Sequence, residues 1–254
     1  MGKATVIAIC NQKGGVGKSS TAIALTGGLH LAGKKALLID CDAQGNSSYA
    51  FGVDTTGKDP DCYDVINGDC GIADAIKTTE QGDIIPNSPR MALLDREAQG
   101  NPDAVYKLKT ALKPLVRKYD YIVLDTPPAL SAETLAALTA ADKCVICTEA
   151  DVFSLQGLGQ IYKTIKAVQE HSNKRLHIEG ILITRFDVRT IISRDKAKVL
   201  FDTAKALDTK LFNKPIRECV AIKESHDMHQ DIYTYAPKSN AAMDYANFVK
   251  DIMG

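Results

Sequence analysis

Lys13-Gly14-Gly15-Val16-Gly17-Lys18-Ser19 stands between an apolar, β-rich run, Ala4-Thr5-Val6-Ile7-Ala8-Ile9, and a segment of helical spacing that begins near Lys18. A triphosphate is held by several backbone N–H groups converging on it. Residues without a Cβ let the chain wrap that closely, so Gly14, Gly15 and Gly17 suit the task. The helix beginning near Lys18 adds its positive N-terminal end. In such a strand–loop–helix, Lys18 reaches the β- and γ-phosphates and Ser19 offers its hydroxyl to Mg2+, with Val16 and Ser20 in the same phosphate-binding segment. The pattern G-x-x-x-x-G-K-[ST] is not met in full: its first glycine falls on Gln12, and Lys13 puts a second lysine in the loop.

Outward from the loop, apolar β-rich runs alternate with longer segments of helical period. This predicts an α/β fold, a mostly parallel, doubly wound sheet with helices on both faces, of the P-loop NTPase type. Strands are expected near 4–10, 35–40, 120–125, 142–148 and 177–184, and helices near 18–32, 102–117, 131–140, 155–171, 191–207 and 240–252. Pro114 kinks or shortens the second helix. The stretch 52–100, punctuated by Gly, Pro and Asp, reads as short helices and turns around a weak strand at Asp83-Ile84-Ile85. At 254 residues the chain is expected to form one domain, 1–254.

The composition, 45% hydrophobic and 24% charged, is that of a soluble globular protein, and no apolar stretch is long enough to span a membrane. The run from Met1 into the first strand leaves no room for a cleavable leader, which predicts a cytoplasmic protein. Seven cysteines, mostly in apolar runs, read as reduced core thiols; Cys144-Val145-Ile146-Cys147 has metal spacing but lies within a strand and lacks a second pair. His226 and His229 are expected on a surface helix.

The strand ending at Asp40 and Asp42 and the strand ending at Asp125 place carboxylates where open α/β sheets hold Mg2+ and water. An Asp at a strand end is as often a turn former, but three beside a glycine loop favour a site. Lys13 to Ser19, Asp40-Cys41-Asp42-Ala43-Gln44-Gly45-Asn46, Tyr119 to Pro128, Gly180 to Thr190 and Tyr235-Ala236-Pro237-Lys238-Ser239 together resemble the deviant-P-loop partition ATPases of the ParA/Soj branch, over nearly the whole chain.

The resemblance implies a segregation ATPase that uses ATP and Mg2+ and forms a homodimer around two nucleotides. Lys13 would cross to the partner subunit's phosphates, Lys18 and Ser19 hold phosphate and metal, Asp42 orient the attacking water, and Asp40 and Asp125 support the metal shell. Thr184, Arg185, Pro237 and Ser239 would pack around the base. The family usually has Thr where Ser19 stands and Pro where Ala43 stands; the first change keeps the hydroxyl, and the second frees a φ in the loop after Asp42.

Net charge is zero, yet residues 151–223 carry fourteen Lys and Arg against eight Asp and Glu. Cations such as Arg185, Arg189, Arg194 and Arg217 without a base-reading element suit nonspecific duplex DNA, although a solvated helix face has the same look. By resemblance Arg189 and Arg217 contact DNA, a ParB-type protein stimulates hydrolysis, and the protein is nucleoid-associated. Two other classes stay open: a MinD-like ATPase at a membrane surface, which the acidic content of 240–252 disfavours, and a nucleotide-switched binding protein with little turnover.

Overall fold

The computed structural model describes residues 2–56, 58–151, 154–189 and 191–254, without the side chains of 191–194. Thr190 and the Arg194 side chain therefore lie outside the described residues. The strands are β1 (Thr5–Cys10), β2 (Ala36–Asp40), β3 (Lys77–Thr79), β4 (Gly82–Ile85), β5 (Tyr121–Asp125), β6 (Lys143–Thr148) and β7 (His177–Ile183). They form one sheet in the order β3-β4-β2-β5-β1-β6-β7, parallel throughout except for the β3–β4 pair.

The helices are α1 (Lys18–Leu31), α2 (Asn46–Ala50), α3 (Cys62–Asn67), α4 (Leu93–Gly100), α5 (Ala104–Ala111), α6 (Ala132–Ala140), α7 (Ser154–His171), α8 (Ile191–Ala206), α9 (Ala221–Asp227), α10 (Ile232–Tyr235) and α11 (Asn240–Met253). Strand residues alternate between two cores, as a pleat requires. Val6, Ala8 and Cys10 join Leu37, Ile122 and Cys144 beneath α3, α5, α6 and α7, whereas Ile7 and Ile9 join Leu38, Val123 and Cys147 beneath α1 and α11. Burial on both faces is why the central strands read as unbroken apolar runs. The buried Cys10, Cys41, Cys62, Cys144 and Cys147 are free thiols in these layers.

The helix expected to reach residue 117 ends at Ala111, and 112–118 are turns. Pro114 lacks an N–H and its ring clashes with the preceding turn, so the helix stops before it. The parallel order brings the C-terminal ends of β1, β2, β5, β6 and β7 to one rim.

One tight contact fixes α1 beneath that rim. A Cβ on Gly28 would stand 2.6 Å from Val249 Cγ2 and 2.7 Å from Tyr233 Oη, and the Tyr233 hydroxyl donates to the Ala24 carbonyl at 2.9 Å. Gly28→Ala is therefore expected to cost about 1–2 kcal/mol, overpacking outweighing the gain in helix propensity. Thermal unfolding should show the melting temperature lowered by several degrees. Gly100→Ala, which meets open space, should leave it unchanged or raised.

Candidate nucleotide site

After β1, the Asn11 amide donates to the Cys147 carbonyl at 2.5 Å and its oxygen accepts the Lys13 N–H at 3.1 Å, so one side chain fixes the start of the loop against β6. Gly15 and Gly17 take φ of 76° and 77°, the left-handed region in which a Cβ is strained, and Gly17 caps α1. Val16 is buried; its carbonyl lies 2.6 Å from the Thr184 hydroxyl, which is also 3.1 Å from the Thr148 carbonyl. Thr184 thus ties the loop to the ends of β6 and β7.

Lys18, the first residue of α1, is buried and donates from Nζ to the Lys13 carbonyl at 3.1 Å, which folds its side chain back over the loop. Burial lowers its pKa, opposed chiefly by the negative charge of Asp125. A desolvated ammonium without a salt-bridge partner among the described residues is prepared to meet an anion.

Asp40 and Asp125 sit opposite one another in register on β2 and β5, both fully buried. One Asp40 oxygen accepts from the Ser48 N–H at 2.9 Å and the Ser48 hydroxyl at 2.7 Å, and the other accepts from the Asp42 N–H at 3.0 Å. Asp125 Oδ2 accepts from the Ser47 hydroxyl at 2.7 Å, but its buried Oδ1 has no hydrogen-bond partner among the described residues. Desolvation raises both carboxyls, Asp40 to about 7 and Asp125 to about 6, with the Asp125 charge adding to the rise at Asp40. The Ser47 hydroxyl, and to a lesser degree that of Ser19, pulls the Asp125 carboxyl the other way. An orphaned carboxylate oxygen beside a hydroxyl is a hard-oxygen set of the kind hydrated Mg2+ takes, so the residues present fit the metal.

Asp42 Oδ1 accepts from the Gln44 N–H at 3.0 Å and its carbonyl from the Gly45 N–H at 2.9 Å, which closes a turn beside the loop. Asp42 borders a cavity of about 520 Å3 with Gly15, Gly17, Lys18, Ser19 and Ser20. A second cavity, of about 290 Å3, shares Gly15, Gly17 and Ser20 and extends between Thr184, Arg185, Ile216 and Ile222. The first offers cationic and hydroxyl groups to phosphate; the second offers apolar walls to a ring.

Not every expected residue is here. Pro237 and Ser239 line neither cavity; Ser239 instead turns its hydroxyl to accept the Ala242 N–H at 3.1 Å as the cap of α11. His226 is half-buried on the cavity wall, and burial pushes its imidazole down to about 4. His229 is exposed beyond the end of α9, its ring nitrogen 2.8 Å from the Tyr49 carbonyl.

Lys13 points to the rim. Its Nζ donates to Glu149 at 2.7 Å and to Asp151; burial works against its charge, but the two carboxylates prevail and raise its pKa. Arg185 shares Glu149 at 3.0 Å and reaches Glu218 at 3.1 Å. Glu149 and Asp151 were not singled out in the sequence, although they follow the end of β6 as Asp42 follows the end of β2. The DNA candidates differ sharply. Arg189 is largely exposed and pairs with Asp187 at 3.0 Å, whereas Arg217 grips Asp244 of α11 through two bonds of 2.8 and 2.7 Å.

A family model described as an AAA domain matches residues 4–178. The chain is 36% identical to the sporulation initiation inhibitor protein Soj of Bacillus subtilis, covering 99% of this chain and 98% of that one. It is 33% identical to the chromosome partitioning protein ParA of Caulobacter vibrioides, covering 98% and 93%. Among solved structures, cobyrinic acid a,c-diamide synthase from Mycobacterium smegmatis, with bound ATP analogue and magnesium, superimposes with a TM-score of 0.85 at 29% identity over 98% of this chain and 94% of that one. With its P-loop fold and near-complete match to these relatives, the chain belongs to the ParA/Soj family.

Proposed function

We propose that the protein is an ATP-dependent DNA partition ATPase, formed by residues 1–254 as one domain. The observation that carries this reading is that desolvated Lys18, Ser19 and Asp42 line one phosphate-sized cavity, while the buried Asp125, its Oδ1 orphaned among the described residues, lies within electrostatic reach of Lys18 and Ser19. The named relatives, Soj and ParA, and the nucleotide and magnesium in the M. smegmatis structure support ATP and Mg2+ as the ligands.

In this reading backbone N–H groups of Gly14 to Ser19 surround the phosphates and Lys18 bridges them. Ser19 and Asp125 hold Mg2+, with Asp40 behind them through the Ser48 turn. Bound Mg2+ supplies charge neutralisation at the phosphate oxygens. Asp42 orients the attacking water, and Lys13 exchanges Glu149 and Asp151 for the phosphates of a second copy, which couples nucleotide to a homodimer. Thr184 and Arg185 border the pocket for the base. Double-stranded DNA is bound without sequence preference, and a ParB-type partner stimulates release by hydrolysis.

The membrane alternative is disfavoured by α11, which spends Tyr245, Phe248, Val249 and Ile252 on the core. Among the described residues no helix is long and apolar enough to cross a membrane. We place the protein in the cytoplasm on the nucleoid. The test measures ATP turnover, dimerisation and DNA retention with and without a ParB-type protein; intact nucleotide binding with neither an ATP-dependent dimer nor DNA retention overturns the reading.

The two DNA candidates should separate. The Arg189–Asp187 pair is solvent-exposed and screened by water and salt, so phosphate competes for Arg189 readily. Arg189→Ala should weaken DNA binding several-fold and flatten its salt dependence by about one counterion, at unchanged ATP affinity. Arg217→Ala should in addition lower the melting temperature, because it leaves the buried Asp244 without its cation. Filter binding across a salt series, alongside thermal unfolding, checks both.

A further inference from the structure

At the end of the sheet where the strands begin, a cleft of about 800 Å3 lies between the ends of three helices. Lys3, Lys109, Lys113, Arg117, Lys174 and Arg175 line it, and Asp142 is the one acid on its wall. Asp142 is already held by Lys3 Nζ and the Val6 N–H, each at 3.0 Å. Among the described residues the other five cations, all exposed, enter no ion pair and no side-chain hydrogen bond. With Lys3, the six cations come from three separate stretches of chain.

The simplest reason for cations here is the helix dipole. The chain just after α5, α6 and α7 forms the wall, and each helix C-terminus carries about half a negative charge. Three such ends offset only about 1.5 charges, against an excess of five positive side chains. A strong positive field remains.

The cleft also has an apolar floor, made by Leu112, Pro114, Val116, Ala140 and Ala141. A DNA duplex is a rod whose phosphates ask for cations and not for an apolar trough. A single strand stacks its bases on aromatic side chains, and none lines this cleft. A rim of cations over an apolar floor instead complements a chain bearing both carboxylates and aliphatic side chains. In an extended chain successive side chains point to opposite sides, so alternation of the two kinds presents each to its counterpart.

We infer that this cleft docks a short, extended acidic segment of a partner protein, its carboxylates on Lys113, Arg117, Lys174 and Arg175 and its aliphatic side chains on the floor. The six residues of β1 separate the cleft from the glycine loop by about 20 Å. Occupancy is thus independent of the nucleotide reading and can be measured apart from it.

The probe is a fluorescein-labelled peptide of about ten residues alternating Glu with Val, long enough at about 3.3 Å per residue to cross the cleft. Fluorescence anisotropy with the full chain should show saturable binding that weakens steeply with salt, and no binding of the peptide with Lys in place of Glu. The double variants Lys113→Glu with Arg117→Glu, and Lys174→Glu with Arg175→Glu, should each weaken binding by about tenfold or more while ATP affinity is unchanged. Lys113→Arg with Arg117→Lys should keep it, which separates charge from folding. Absence of saturable binding, or equal affinity in the charge-reversed variants, overturns the inference. Loss of affinity for a DNA duplex in those variants, without peptide binding to the parent chain, would assign the face to nucleic acid and overturn it equally.

Discussion

Lys18→Ala is expected to remove ATP binding, with affinity lowered by about a hundredfold to a thousandfold or more. The size follows from where the ammonium sits. It is buried, its pKa is lowered by desolvation, and among the described residues its one side-chain hydrogen bond is to the Lys13 carbonyl at 3.1 Å. Most of the cost of taking its charge out of water is therefore met by folding, and phosphate gains a nearly undivided ion pair. Removing one partner of a buried pair costs about 3–5 kcal/mol, and each 1.4 kcal/mol is a factor of ten. Alanine keeps the helix start intact. Titration with a fluorescent ATP analogue checks the prediction; affinity within tenfold of the parent would mean that the backbone N–H groups carry the phosphate and the role given to Lys18 is wrong.

How much of this was legible beforehand depended on whether the physics was local. Gly15 and Gly17 announce themselves because only glycine takes their backbone conformation cheaply, and β1, β2, β5, β6 and β7 because strands buried on both faces must be apolar without interruption. β3 was illegible for the converse reason: Lys77-Thr78-Thr79 is a three-residue edge strand with no buried side chain, paired antiparallel to β4. Asp40 and Asp125 could be placed because a strand end is a sequence feature.

Longer-range contacts left little trace. Ser47 and Ser48, which hold Asp125 and Asp40, look like ordinary loop residues. The same rule that found Asp42 would have found Glu149 and Asp151, had it been applied to β6. Pro237 and Ser239 were drawn to the base by their place in a motif, yet the hydroxyl of Ser239 serves a local need, the cap of α11. The basic cleft was invisible to charge counting because most of its cations lie outside the positive stretch 151–223.

Asp42→Ala is expected to leave ATP bound and the dimer formed while turnover falls by about a hundredfold or more, the usual scale for losing a positioned carboxylate. The geometry demands a second variant. Asp42 faces the cavity, but its Oδ1 also accepts the Gln44 N–H at 3.0 Å and so shapes the turn that leads to Ser47 and Ser48. Alanine removes both functions, and loosening this turn alone disturbs Asp40 and Asp125 through their serines. Asn keeps an acceptor at Oδ1 and loses the negative charge. If Asp42 acts on water, Asp42→Asn should retain ATP affinity within about threefold of the parent and still lose most of the rate, because the amide is a far weaker proton acceptor. If it acts only through the turn, Asn should restore turnover that Ala abolishes. Single-turnover hydrolysis with size-exclusion chromatography in ATP distinguishes the outcomes, and a fully active Asp42→Asn would move the water-orienting role to another group on the cavity wall.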